Sequence, residues 1–225
     1  HGANGGGRTF VRSGGGLHLA GGNITRAAGS ATNDYQPIDW VRALRHGVKP
    51  DGRPLRVMPS EDYNRLTDAD LGTIVAYVQS LPAAAGGGAV IELPLPARVL
   101  YGFGQIPEAA EKIDHSLPPQ QPVTEGVSAE HGKYVANMCL GCHGAKLEGG
   151  KIPGGPPDWP ASARLVPGEG NAMARYRDDE AFLRMLKSGK NPDGRALAVM
   201  PFEALSKLSD TDARALHLYL TQLGG

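Results

Sequence analysis

The chain has 225 residues, 40% of them apolar, and its 23 Lys/Arg balance 23 Asp/Glu for a formal charge of zero. That length supports one or two domains with cores of their own. The neutral balance supplies no basic stripe for nucleic acid, and no apolar run reaches the roughly 18 residues of a membrane span. Thirty-two glycines and 18 prolines point to loop-rich units with little sheet.

The first expected helix covers about residues 36–46, with Pro37 suited to its first turn and Gly47 to its stop. Pro50-Asp51-Gly52 reads as a turn, and Met58, ahead of Pro59, is pushed toward an extended conformation. A second helix starts at Thr67, where Asp70 follows three residues later in a capping-box-like pattern. Its apolar stripe, Leu71, Ile74, Val75, Val78 and Leu81, has the helical period. Residues 83–127 are rich in Ala, Gly and Pro and read as a linker, an extended strap along both flanking domains rather than a free tether. Within it, Leu95 to Phe103 is apolar enough to dock onto a domain or a partner. Further on, a helix over about 179–188 stops at Gly189. A last helix begins at Ser209, with Asp212 three residues later and Ala213, Leu216, Leu220 and Leu223 on its stripe.

The most specific motif is Cys139-Leu140-Gly141-Cys142-His143, which holds both cysteines of the chain. C-x-x-C-H is the attachment signature of a c-type haem. Two thiols add across the two vinyl groups of the porphyrin, and the adjacent histidine becomes an axial ligand. A tetrahedral zinc site needs further thiolates or histidines near by, and a redox dithiol needs a βαβ setting; neither is visible. Covalent haem implies export to an oxidising compartment, and a chain opening His-Gly-Ala reads as a mature or truncated product.

The sequence also repeats itself at an offset of 142 residues. His1-Gly2-Ala3 falls on His143-Gly144-Ala145, and Pro50-Asp51-Gly52-Arg53 falls on Pro192-Asp193-Gly194-Arg195. Val57-Met58-Pro59 falls on Val199-Met200-Pro201, and 17 of the 42 positions from 40 to 81 are identical. The alignment runs without a gap from His1 to Leu81. The repeat singles out Met200 and Met58 as second axial ligands to His143 and His1, because thioether sulfur suits haem iron and Met/His ligation raises the reduction potential. Met138, Met173 and Met185 have no counterpart in the other copy, and Met185 reads as core.

In this order of motifs the chain resembles the class I c-type cytochromes in a tandem di-haem arrangement, like the cytochrome subunits that serve bacterial alcohol, sugar or aldehyde dehydrogenases. The resemblance implies a mainly α fold: a cytochrome c domain over 1–82, the linker over 83–127 and a second cytochrome c domain over 128–225. It implies two haems c, one per repeat, and a helix from about Ser128 to Met138, containing Gly132 and Tyr134, that packs across the C-terminal helix. It implies an electron relay outside the cytoplasm from a donor dehydrogenase to an acceptor oxidase or soluble cytochrome, in a larger complex or free, without nucleic acid or a membrane span in this chain. The catalytic alternative is a di-haem oxidoreductase of thiosulfate dehydrogenase or peroxidase type, which needs an iron with a displaceable ligand; a methionine retained in both repeats argues against it. The first repeat departs from the family by lacking C-x-x-C ahead of His1; the expectation is truncation at that histidine, and the alternative is a degenerate domain without covalent haem.

Secondary candidates follow from the repeat. Arg53 and Arg195 stand beside the two methionine loops, where they can bind haem propionates. A carbonyl of Pro153 or Pro156 is a candidate to orient His143. Trp40 and Phe182 align as packing aromatics, and Trp159 has no aromatic counterpart. His18, His46, His115, His131 and His217 read as surface or internally bonded histidines.

Overall fold

The computed structural model describes residues 1–152, 155 and 158–223. It is mainly helical and divides into two compact units, His1–Gln121 and Pro122–Gly225.

In the first unit, β1 (Arg8–Arg12) and β2 (His18–Gly21) form an antiparallel hairpin, and β3 (Val90–Glu92) adds beside β2. Helix α1 (Pro37–His46) begins as its proline suggests, with the Asp39 carboxylate accepting from the Gln36 N–H at 3.0 Å. It ends at Gly47, whose φ of +65° closes the helix in the left-handed conformation that glycine adopts most easily. Helix α2 (Asp68–Ser80) starts where the Thr67 hydroxyl accepts from the Asp70 N–H. The small core joins Trp40 and Leu44 of α1 to Leu71 of α2, with Tyr35, Val41, Met58, Ile74, Val75 and Val78 packed around it. The stripe read from the sequence is therefore the face that α2 buries.

Residues 83–121 are folded onto this first unit rather than strung as a structureless connection. They contribute β3, α3 (Leu95–Gly102) and α4 (Ala109–Lys112), and the backbone of Asn23 is bonded to Gly87. Leu95 and Phe103 do lie on the surface, and the intervening residues form a helix rather than an extended strap.

The second unit is built on α5 (Ala129–Val135), α6 (Leu140–His143), α7 (Asp179–Ser188), α8 (Phe202–Leu205) and α9 (Asp210–Gln222). Its larger core runs through Val135, Met173, Tyr176, Phe182, Met185, Leu186, Leu216 and Leu220. Helix α5 crosses α9 at Gly132. A Cβ placed there would stand 1.9 Å from the Ala215 carbonyl oxygen, so only glycine lets the two backbones approach this closely. Ser128 and Ser209 cap the two helices, and His131 Nε2 lies 2.7 Å from Asp212 Oδ1 across the crossing. The helix expected over 128–138 is α-helical to Val135 and then tightens into a 3₁₀ turn, Ala136–Cys139.

Candidate haem site

The 3₁₀ turn and α6 place Cys139 and Cys142 three residues apart on one helical face. Neither thiol is in a disulfide; Cys142 is exposed and Cys139 half-buried. His143 ends α6, is 7% exposed, and holds its ring by a 2.8 Å bond from Nδ1 to the Ala163 carbonyl. A carbonyl only accepts, so Nδ1 carries the proton and the neutral ring keeps its lone pair on Nε2. Burial pulls the His143 pKa below the ordinary histidine value, against the opposing pull of the Ala163 bond. A neutral imidazole with a free Nε2, one thiol on the preceding residue and another one turn back are the groups that a covalently bound haem requires. The carbonyl acceptor is thus Ala163. Pro153 and Pro156 lie outside the described residues.

The loop of Met200 is set by strained backbone. Val199 adopts φ +73°, a left-handed conformation that costs a β-branched residue about 1–3 kcal/mol. Met200 is half-buried, and its carbonyl accepts from the Phe202 N–H at 2.9 Å.

The first unit repeats much of this frame, although Val57 does not take the left-handed conformation of Val199. His1 Nδ1 lies 2.7 Å from the Gly22 carbonyl, as His143 Nδ1 does from Ala163. The Gly7 N–H donates to the His1 carbonyl at 2.8 Å, and Gly149 to that of His143 at 2.9 Å. Ile24 donates to Gly5 as Leu165 does to Leu147, and Ala31 to Asn23 as Ala172 does to Arg164. The Pro-Asp-Gly turns close alike, Gly52 on Lys49 and Gly194 on Asn191, each at 2.9 Å. The Ser60 N–H meets the Met58 carbonyl at the same 2.9 Å as Phe202 meets Met200.

These bonds correct the gapless alignment. From Gly22 to Tyr35 the offset is 141 residues, with 142 restored at Pro37 and Asp179. The Arg8–Gly21 hairpin holds one residue more than its counterpart, and the first unit has one fewer between Tyr35 and α1. The corrected register pairs Tyr35 with Tyr176. Each stacks edge-on against the aromatic of the following helix, Trp40 at 5.3 Å and Phe182 at 5.9 Å.

The two units also differ. His1 is exposed where His143 is buried. Trp40 Nε1 is buried with no acceptor among the described residues, a donor that a carboxylate-bearing ligand would satisfy. The Arg53 guanidinium is held by Asp51 of its own turn, its Nε donating to Oδ2 at 2.8 Å. Arg195 is exposed, and its backbone N–H donates to Asn191 Oδ1. His46 and His115 face each other at 3.0 Å, His217 bonds the Tyr176 carbonyl and His18 bonds Thr9.

Residues 129–224 match the family model of cytochrome c. The chain carries a cytochrome c domain, and that family binds haem c covalently. Among curated proteins, the fructose dehydrogenase cytochrome subunit of Gluconobacter japonicus is 27% identical over 217 residues, spanning 88% of this chain. The match extends well beyond the second unit into the first. The chain covers 43% of that relative, less than half its length. Among the described residues no helix is long and apolar enough to cross a membrane.

Proposed function

We propose that the chain is a di-haem electron-transfer component. Cys139, Cys142, His143 and Met200 hold one haem c, and His1 and Met58 ligate a second. Haem, when bound, supplies one-electron exchange at iron. The chain's residues hold it: Ala163 and Gly22 fix the two histidine tautomers, the methionine loops present sulfur, and the two cores exclude water. The observation that carries this reading is the doubled histidine frame, in which each Nδ1 is tied to a carbonyl some twenty residues downstream and each Nε2 is left available. By the likeness to a dehydrogenase cytochrome subunit, the donor is a dehydrogenase and the acceptor an oxidase or a soluble cytochrome, outside the cytoplasm.

Covalent attachment at His1 requires two thiols that residues 1–121 do not contain, so this reading places a C-x-x-C directly ahead of His1. An exposed face of α2 supports this reading. The α2 face around Thr73 and Tyr77 corresponds to the α9 face that α5 covers at Ala215 and Tyr219, and Tyr77 is 61% exposed. Intact mass of the native protein is expected to show residues ahead of His1 and two haem additions; a single addition would end the two-haem reading.

The ligands are tested by Met200→Ala and Met58→Ala. Each is expected to convert half of the haem to a high-spin form that binds carbon monoxide when reduced, and the double variant to convert all of it. Rapid carbon monoxide binding by the unaltered protein would instead favour the enzyme reading.

A further inference from the structure

The loop of Met58 lies beside α4. The two units solve one packing problem in different ways. Gly47 and Gly189 end α1 and α7 in the same left-handed conformation, each directly ahead of its methionine loop. Over Gly189 lies the ring of Phe202, two residues past Met200, at 3.1 Å from where a Cβ would be. The matching residue over Gly47 is Ser60, whose Cβ reaches only 3.4 Å and whose side chain turns away to donate to the Ala43 carbonyl. The space is taken by α4 of the linker: Ala110 N stands 3.1 Å and Ala109 Cβ 3.5 Å from the same point, and Ala109 and Ile113 are buried there.

Charged contacts hold α4 in place from both ends of the methionine loop. Two residues before Met58, Arg56 lies over the Tyr101 ring at 4.9 Å and reaches the buried Glu108 carboxylate at 3.5 Å. Tyr101 donates its hydroxyl to the same carboxylate. Three residues after Met58, Glu61 pairs with Lys112. Farther along, His115 Nε2 donates to the Ala110 carbonyl and its Nδ1 meets that of His46 at 3.0 Å, closing α4 against α1. The second unit has Ala198 where the first has Arg56, and no such clasp can form there.

We propose that Tyr101–His115 buttresses the first unit's iron site, with Glu108 as the positioning residue that keeps the Met58 loop closed. This rests on the reading of Met58 as an iron ligand. A loop that opens more often leaves its iron open to an external ligand for a larger fraction of the time, and apparent affinity rises in proportion to that fraction.

The test is imidazole titration of the full-length oxidised holoprotein, following the loss of methionine ligation in the visible spectrum. Met58→Ala identifies the haem concerned. Glu108→Ala, Lys112→Ala and their combination are expected to tighten imidazole binding at that haem about tenfold or more. Binding at the haem that Met200→Ala turns high-spin should stay unchanged. Glu108→Gln keeps the bond from Tyr101 and should fall between. Should the double variant fail to fold, Lys112→Ala and Tyr101→Phe alone carry the same test. If Met58→Ala opens one haem while the clasp variants leave both affinities within twofold, the buttress is wrong and Met58 remains a ligand. If Met58→Ala changes nothing in the spectrum, both readings fall.

Discussion

Gly132→Ala is expected to unfold the second unit or to leave it marginal, whereas Gly72→Ala should stabilise the first. Both glycines sit in helices, and propensity alone predicts a gain of about 1 kcal/mol for each. Surroundings reverse the sign at one of them. A Cβ at Gly132 meets the Ala215 carbonyl oxygen at 1.9 Å and Tyr219 Cβ at 2.7 Å. Two of the three nearest atoms are backbone, so no rotamer change relieves the clash and α5 must lift from α9. Overpacking that flexible side chains absorb costs about 1–3 kcal/mol; separating the main helix crossing costs more, against a total of about 5–15 kcal/mol for a domain this size. Gly72 has nothing within 4 Å of its Cβ position. Thermal unfolding of the holoprotein should show the second unit's transition lowered by at least about 10 °C in Gly132→Ala. A small rise in the first unit's transition is expected in Gly72→Ala. A mild Gly132→Ala would mean that α5 slides along α9 without losing its packing.

Much of the fold was legible because the helices announce their ends. Pro37 and Gly47 bracket α1, Gly189 stops α7, and Thr67 and Ser209 cap α2 and α9 where the capping pattern placed them. The ligand frame was legible only in part. Backbone carbonyls orient both histidines, and a carbonyl leaves no mark on side-chain identity, so Ala163 and Gly22 did not stand out. A signal did exist in the tyrosines. Tyr35 and Tyr176 each precede an aromatic-bearing helix, and their offset of 141 betrays the slip that a gapless comparison passes over. The helices within residues 83–121 leave little mark on the sequence for a different reason. The prolines of this segment describe the approaches to α3 and α4, whereas α4 packs over Gly47 beside Ser60, at the place where the second unit has Phe202 over Gly189. That pairing is visible only once two non-adjacent segments are seen side by side.

Arg45→Met is expected to destabilise the first unit by about 3 kcal/mol, while Lys187→Met in the matching place should be close to neutral. The repeat places both cations on the last turns of corresponding helices, opposite corresponding carboxylates, Asp68 and Asp210. Burial separates them. Arg45 is 5% exposed, and its guanidinium donates to the carbonyls of Asn64 and Leu66 at 3.0 and 2.6 Å as well as to Asp68 at 2.8 Å. These bonds tie α1 to the segment leading from the Met58 loop into α2. Methionine keeps the apolar stem but leaves two carbonyls without their donor, at about 1–3 kcal/mol each. Lysine is a poor rescue, since one ammonium lacks the planar fork that reaches all three acceptors. The Lys187 side chain is 51% exposed and, among the described residues, bonds Asp210 alone, in water that replaces either partner. Added salt should weaken the Lys187 contribution and leave that of Arg45 almost untouched. Denaturant midpoints of the two variants, measured at low and high salt, check both statements. Equal midpoints would show that water reaches the Asn64 and Leu66 carbonyls, and that the two cations do the same work in spite of their burial.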